Sequence, residues 1–221
     1  MRAGLFGGTF NPIHKGHLKV VEQVLHRFGL DRLYLIPCRI PPHKAPAYLA
    51  PAADRVRMIR LALPADRRIH LSEVEVRRTG FSYTIDTVTH FSLRIVPGAD
   101  LFLVMGLDAF LDIHTWKQFN RLLEMVHPTV VNRRIGDAPG AVGDHCRMDA
   151  YIHSRLSPEY RISEDRHCWQ RKGSGDIHLL QMPPVDISSS QIRHLIGHGK
   201  PAVDLVPEAV WGYIEQKELY R

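Results

Sequence analysis

The most constraining feature of this chain is an apolar stretch, Arg2 to Phe6, that breaks into Gly7-Gly8-Thr9 and passes quickly into helix-periodic sequence. Leu18, Val21, Leu25 and Phe28 share one face of a helix that starts near Gly16, and Gly29 stands where a helix is commonly stopped. The alternation continues down the chain. Arg32–Ile36 reads as a second strand, Ala53–Leu63 as a helix, Ile69–Val76 as a strand and Tyr83–Ile95 as a helix. Leu101–Met105 is a buried-type strand, Trp116–Val126 a helix, and Pro128–Val131 and Ile177–Met182 further strands. Helices over Ser189–Ile196 and Pro207–Glu218 close the chain. Strands alternating with amphipathic helices predict an α/β fold with a doubly wound parallel sheet. In such a sheet, ligands bind beyond the carboxyl ends of the strands.

Length and composition bound the rest. With 221 residues, the chain is expected to form a single domain over 1–221. The stretch Arg133–Asp176 is polar, mixed in charge and without clear periodicity, so it is expected to be an irregular insertion. Residues 188–221 form a C-terminal helical segment. A 44% hydrophobic and 24% charged composition excludes disordered and fibrous classes. No window has the roughly 18 apolar residues of a membrane span. The glycine-rich start, Met1–Phe10, does not read as a signal peptide. Three widely spaced cysteines, Cys38, Cys146 and Cys168, argue against a disulfide framework and for a reducing cytosol, hence a cytoplasmic protein. Lysine plus arginine exceeds aspartate plus glutamate by 29 − 23 = 6, which favours anionic partners.

The first turn, Gly7-Gly8-Thr9-Phe10-Asn11-Pro12-Ile13-His14-Lys15-Gly16-His17, carries the chemistry. It is neither the dinucleotide fingerprint nor the P-loop. Adjacent glycines let a ligand approach the backbone closely, and the free amides of the following helix start favour anions. His14 and His17 can face the same space above that helix end. Positioned imidazole donors suit a transferring phosphoryl group, whose charge builds on the equatorial oxygens and the leaving group. A surface pair or a metal-binding pair would show the same spacing; its location at the strand-to-helix turn favours the phosphate reading.

This segment resembles the signature of the nucleotidylyltransferase superfamily, whose H-x-G-H motif binds nucleoside triphosphate, and the whole chain is similar to bacterial nicotinate-nucleotide adenylyltransferases. The resemblance implies a Rossmann-like nucleotidylyltransferase fold with a polar insertion. It implies transfer of the adenylyl group of ATP to nicotinate mononucleotide, with His14 and His17 catalytic and Gly7, Gly8, Thr9 and Phe10 holding nucleotide and phosphate. Asn11 stands where the family often has aspartate.

Further segments extend the likeness. Asp186-Ile187-Ser188-Ser189-Ser190-Gln191-Ile192-Arg193 begins a helix, where serine is first a cap. It is similar to the family's I-S-S-T-x-x-R, which implies that Ser188, Ser189 and Arg193 hold the triphosphate. Pro41-Pro42-His43-Lys44 looks like the family's substrate loop, with Lys44 reaching phosphate as a point charge. Arg55 and Met58 also match a family pattern. Ser82-Tyr83-Thr84-Ile85-Asp86-Thr87, a polar helix start capped by Ser82 or Thr84, implies that Tyr83 and Thr84 help hold the pyridine carboxylate. Gly106 permits close approach of a nucleotide, and Asp108 could accept ribose hydroxyls or simply cap a helix. Trp116 is either core or a platform for the nicotinate ring, and Lys117 beside it joins the mononucleotide site.

The expected partners are ATP and nicotinate mononucleotide, with Mg2+ bridging substrate oxygens, no metal held by the protein itself, no membrane and no nucleic acid. Self-association into a homo-oligomer is left open. The pairs His145-Cys146 and His167-Cys168 have poor spacing for zinc and read as incidental. Adenylyltransfer to nicotinamide mononucleotide or to another phosphate acceptor, and a non-catalytic nucleotide-binding regulator, are the alternatives. A K-M-S-K-S-like segment, which an RNA-linked reading would need, is not evident.

Overall fold

The structure is a computed structural model and describes residues 1–39, 49–132, 141–165, 167–183 and 185–221. Five strands fall where apolar runs were expected: β1 (Arg2–Gly8), β2 (Arg32–Pro37), β4 (Asp100–Gly106), β5 (His127–Asn132) and β8 (Ile177–Gln181). With β3 (Ile69–Leu71), β6 (Arg161–Ile162) and β7 (Cys168–Gln170), they form one sheet in the order β3-β2-β1-β4-β5-β8-β7-β6. The first six in that order pair in parallel; β7 and β6 run antiparallel. The strand order reverses between β1 and β4, so the switch point lies at their carboxyl ends.

Alternation along each strand feeds two cores, which is why the strands read as continuous apolar runs. Phe6, Leu33, Leu35, Phe102 and Val104 face one side, against α1 (Lys15–Arg27), α2 (Ala52–Ala62), α8 (Ser189–Gly197) and α9 (Glu208–Gln216). Leu5, Tyr34, Ile36, Leu103 and Met105 face the other. There they meet α4 (Thr84–His90) with its π-turn Phe91–Ile95, α5 (Leu107–Leu111), α6 (Phe119–Met125) and α7 (Ala141–Tyr151). No helix among the described residues is long and apolar enough to cross a membrane.

Three expectations are corrected. The strand expected over Ile69–Val76 stops at Leu71, and α3 (Val74–Arg77) forms a helical turn instead. This is the sheet edge, where β3 pairs with β2 alone among the described residues, so a longer strand would gain one row of hydrogen bonds and no second neighbour there. The helix expected from Trp116 begins at Phe119, because Trp116 closes the 3-10 turn Ile113–Thr115 and Gln118 adopts a left-handed φ of 53°. The stretch expected to be irregular is ordered where described. Met148, Ile152, Tyr160 and Trp169 are fully buried, and their helical and strand spacing was masked by charged neighbours. Trp169 donates from Nε1 to Asp149 Oδ1 at 2.8 Å, tying β7 to α7.

Candidate active site

The two imidazoles sit at the start of α1, directly beyond β1. Their ring centroids are 3.7 Å apart with planes tilted by 33°. His14 is buried and His17 half-buried. Phe10 and Phe6 also pack near the His17 ring, with centroids 5.1 and 6.1 Å away. The His14 backbone N–H donates to His17 Nδ1 at 3.2 Å. An N–H can only donate, so Nδ1 is the acceptor and a neutral His17 carries its proton on Nε2, at the opposite edge of the ring. Gly16 makes the stacking possible: a Cβ there would stand 3.0 Å from His14 Cε1 and Nδ1 and 3.2 Å from Val185 Cγ1.

The helix start is less free than the sequence suggested. The Lys15 N–H donates to the Leu205 carbonyl at 3.0 Å and the His17 N–H to the His14 carbonyl at 2.9 Å. Two of the amides at this end are therefore already engaged within the protein. At Gly7 and Gly106, by contrast, no atom of the described residues other than the chain neighbours lies within 4 Å of where a Cβ would be, so packing among them does not demand glycine at either position. At Gly8 a Cβ would stand 3.1 Å from the Phe10 ring edge, so the ring would have to give by a few tenths of an ångström.

The carboxyl-terminal motif is stitched directly onto this turn. Arg193 Nη1 donates to the Asn11 carbonyl at 2.8 Å, Nη2 to Ser190 Oγ at 3.2 Å, and Ser189 Oγ to the Pro12 carbonyl at 3.0 Å. The capping expectation holds at Ser188, whose hydroxyl accepts the Gln191 N–H at 3.1 Å in a capping box. The serine hydroxyls thus mainly serve the protein, leaving the leading N–H groups of α8 and the remaining Arg193 donors to meet an anion.

A second group gathers on the other side of the switch point. Lys117 Nζ lies 4.4 Å above the Tyr83 ring and 3.4 Å from the Asp86 carboxylate, joining the start of α4 to the segment after β4. Tyr83 is the N-cap of α4 and no side chain caps it, so neither Ser82 nor Thr84 has the expected role. Gly106 is the N-cap of α5, which leaves Asp108 exposed in the first turn and free of a capping role. Trp116 is half-buried against the second core. Lys44 and its Pro41-Pro42-His43 neighbours lie outside the described residues.

Residues beyond the motifs complete the site. Asn11 Oδ1 accepts both the Ala50 N–H at 3.0 Å and the Tyr220 hydroxyl at 2.8 Å, so the far end of the chain holds the first turn. Burial pushes the Tyr220 phenol well above its ordinary range and also raises the Cys38 thiol behind Thr9. Arg55 is fully buried beneath the turn and donates to four carbonyls. The sequence does carry a sign of Arg55, which stands at helical spacing with Met58, Ile59 and Ala62 and is therefore a charge on a core-facing stripe. Nothing local marks Tyr220.

The His-Cys pairs are not gathered into a ligand set among the described residues; His145 stacks on Trp169 with a 5.1 Å centroid distance. The one gathering found there is His127, Asp176 and His178, at the amino ends of β5 and β8 and away from the switch point. His127 Nδ1 already accepts the Asp176 N–H at 2.9 Å, and Asp176 Oδ2 accepts the Gln170 amide at 3.0 Å.

Comparison with known proteins gives this arrangement a context. A cytidylyltransferase-like family model matches residues 5–195. A relative from Desulfatibacillum aliphaticivorans, named "probable nicotinate-nucleotide adenylyltransferase", is 37% identical over 222 residues, covering 100% of both chains. The chain belongs to the nicotinate-nucleotide adenylyltransferase family. Another member, from Pelobacter propionicus, is 36% identical, covering 100% of this chain and 98% of that one. The fold is shared with a nicotinic acid mononucleotide adenylyltransferase of Plasmodium falciparum solved with NaAD, at TM-score 0.71 and 18% identity, over 99% of this chain and 97% of that one. The doubly wound α/β reading is therefore correct for this family member. Its active-site candidates are the residues around His14 and His17.

Proposed function

We infer that the protein transfers the adenylyl group of ATP to nicotinate mononucleotide, forming nicotinate adenine dinucleotide and pyrophosphate, a step of NAD biosynthesis. The observation that carries this reading is the stacked His14–His17 pair at the β1–β4 switch point, with α8 bonded to the residues just before it. Full-length family membership supports the choice of substrates.

A phosphate oxygen of the mononucleotide attacks the α-phosphorus of ATP, and the bond to the β-phosphate bridging oxygen breaks. No covalent enzyme intermediate is involved, so positioning and electrostatics do the work. The outward Nε2–H of His17 meets the charge that builds on the α-phosphate oxygens, while buried His14 holds the ring in place beside it. The backbone of Gly7, Gly8, Thr9 and Phe10, together with Gly106, lines the nucleotide. Arg193 and the start of α8 at Ser188 and Ser189 hold the triphosphate and the departing pyrophosphate, with Lys44 as a further point charge. Tyr83, Thr84, Asp108, Trp116 and Lys117 receive the mononucleotide, Trp116 through its flat face and Asp108 through ribose hydroxyls.

Among the described residues, the donors at this end are imidazoles, amides and hydroxyls with no cluster of carboxylates, which fits Mg2+ held by substrate phosphates and water. Such an ion offsets phosphate charge. All of residues 1–221 belong to one working domain in this reading, and its three free cysteines suit a reducing cytosol. The test is pyrophosphate release from ATP with nicotinate mononucleotide and with nicotinamide mononucleotide, each without RNA. Release with neither acceptor refutes the reading, and a preference for the nicotinamide form transfers it to that substrate.

A further inference from the structure

Arg55 lies on α2, outside every motif that contacts substrate in the reading above. Its guanidinium is 0% exposed and donates to the carbonyls of Thr9 (2.8 Å), Cys38 (2.7 Å), Arg39 (2.9 Å) and Ala50 (3.0 Å). Those four carbonyls belong to the turn after β1, the segment after β2 and the entry to α2. No carboxylate among the described residues forms an ion pair with it. A buried cation is ordinarily matched by an anion, because carbonyl dipoles replace its hydration without cancelling its charge.

The bond to Thr9 also sets a direction. In a trans peptide the C=O and the following N–H point to opposite sides. Drawing the Thr9 carbonyl toward α2 therefore turns the Phe10 N–H away from α2. Phe10 itself is held at φ 48°, a left-handed conformation that a non-glycine side chain keeps only when its surroundings impose it. Asn11, next in the chain, is clamped by Ala50, whose carbonyl Arg55 also holds. One guanidinium thus fixes the backbone of the turn that leads into His14.

We propose that Arg55 is the positioning residue of the polyphosphate turn, aiming its backbone donors and supplying from below a buried positive charge that the protein leaves for the phosphates to balance. The proposal rests on the adenylyl-transfer reading, because the anion is the triphosphate of ATP. Arg55 touches no substrate itself.

The test uses the full-length protein as wild type, R55K and R55A, with pyrophosphate release followed while ATP is varied and melting followed in parallel. Wild-type turnover checks the functional reading separately from Arg55. R55K keeps the charge but cannot reach four carbonyls with a planar fork. Its KM for ATP is expected to rise about tenfold and its kcat/KM to fall up to about 10²-fold, the scale of a small misplacement of groups around the reacting centre. R55A is expected to lose more and to regain turnover with millimolar guanidinium, but not with sodium at equal ionic strength. A purely structural arginine would lower the melting temperature and the folded fraction while leaving the KM for ATP unchanged. Wild-type constants in R55K, or an R55A enzyme indifferent to guanidinium, would overturn the proposal.

Discussion

Replacing Gly16 by alanine separates the placing of the imidazoles from the folding of the chain. Gly16 is the second residue of α1, and a Cβ there would stand 3.0 Å from two atoms of the His14 ring, where ordinary contact begins at 3.4 Å. The ring must therefore move by about 3.4 − 3.0 = 0.4 Å. It is buried at 1% exposure and already stacked 3.7 Å from His17, so the movement is passed on to the second ring. Since a 1 Å misplacement can cost about 10²-fold in rate, a shift of this size should cost about tenfold, or ~1.4 kcal/mol of barrier. Stability changes less clearly in one direction. Alanine gains up to about 1 kcal/mol over glycine in a helix, and the crowding returns about 1–3 kcal/mol the other way. The expected result is a variant that still folds, melts within several degrees of wild type and releases pyrophosphate about ten times more slowly at saturating substrates. A kcat within twofold of wild type would show that the stacked geometry of the two rings is not what the reaction uses.

Three further outcomes follow from the same geometry. His17→Ala should lower turnover by about 10²–10³, or ~3–4 kcal/mol, with the circular dichroism of the fold retained, since it removes one positioned donor from a half-buried place. Ser188→Ala removes the cap on the Gln191 N–H and should cost about 1 kcal/mol in urea unfolding. It should also raise the KM for ATP, because α8 carries Ser189 and Arg193 onto the first turn. Burial raises the Glu75 carboxyl above its ordinary range, opposed by the Thr87 hydroxyl and Arg78. With the folded-state value raised, this group's stability is fully present at acid pH and lost as pH climbs through that value. Glu75→Gln should therefore melt higher than wild type at pH 7, with the difference vanishing below the usual glutamate range. A constant difference at every pH would trace the change to packing instead.

Much of the molecule was legible because its signals are local. Phe6 and Leu5 alternate between two cores, and five of the six parallel strands, all but the short β3, are apolar on both faces for that reason. The H-x-G-H turn is legible because one glycine, two rings and a helix start are all contiguous. The ordered part of 141–170 was missed because α7 and β7 bury only a few side chains each, Met148 and Trp169 among them, behind exposed charged neighbours such as Arg147. The short β3 was overread because Val74 and Val76 alternate with Glu73 and Glu75, yet they stand one residue out of phase with Ile69 and Leu71 and would face the opposite side of the same strand.

Composition and order of residues, then, determined the layered α/β architecture, the end of the sheet where ligands belong and the identity of the imidazole pair. Only the packed chain decided which donors remain for a ligand. Lys15, Ser188, Ser189 and Arg193 direct hydrogen bonds at Leu205, Gln191, Pro12 and Asn11, or accept them from there, and three of these four contacts span more than 170 positions or cross between separate elements. The same holds for Arg55 beneath the turn and Tyr220 against Asn11. A hydrogen bond between distant residues depends on where the folded backbone carries both partners, and pattern along a chain records only what each residue can offer, not whom it meets.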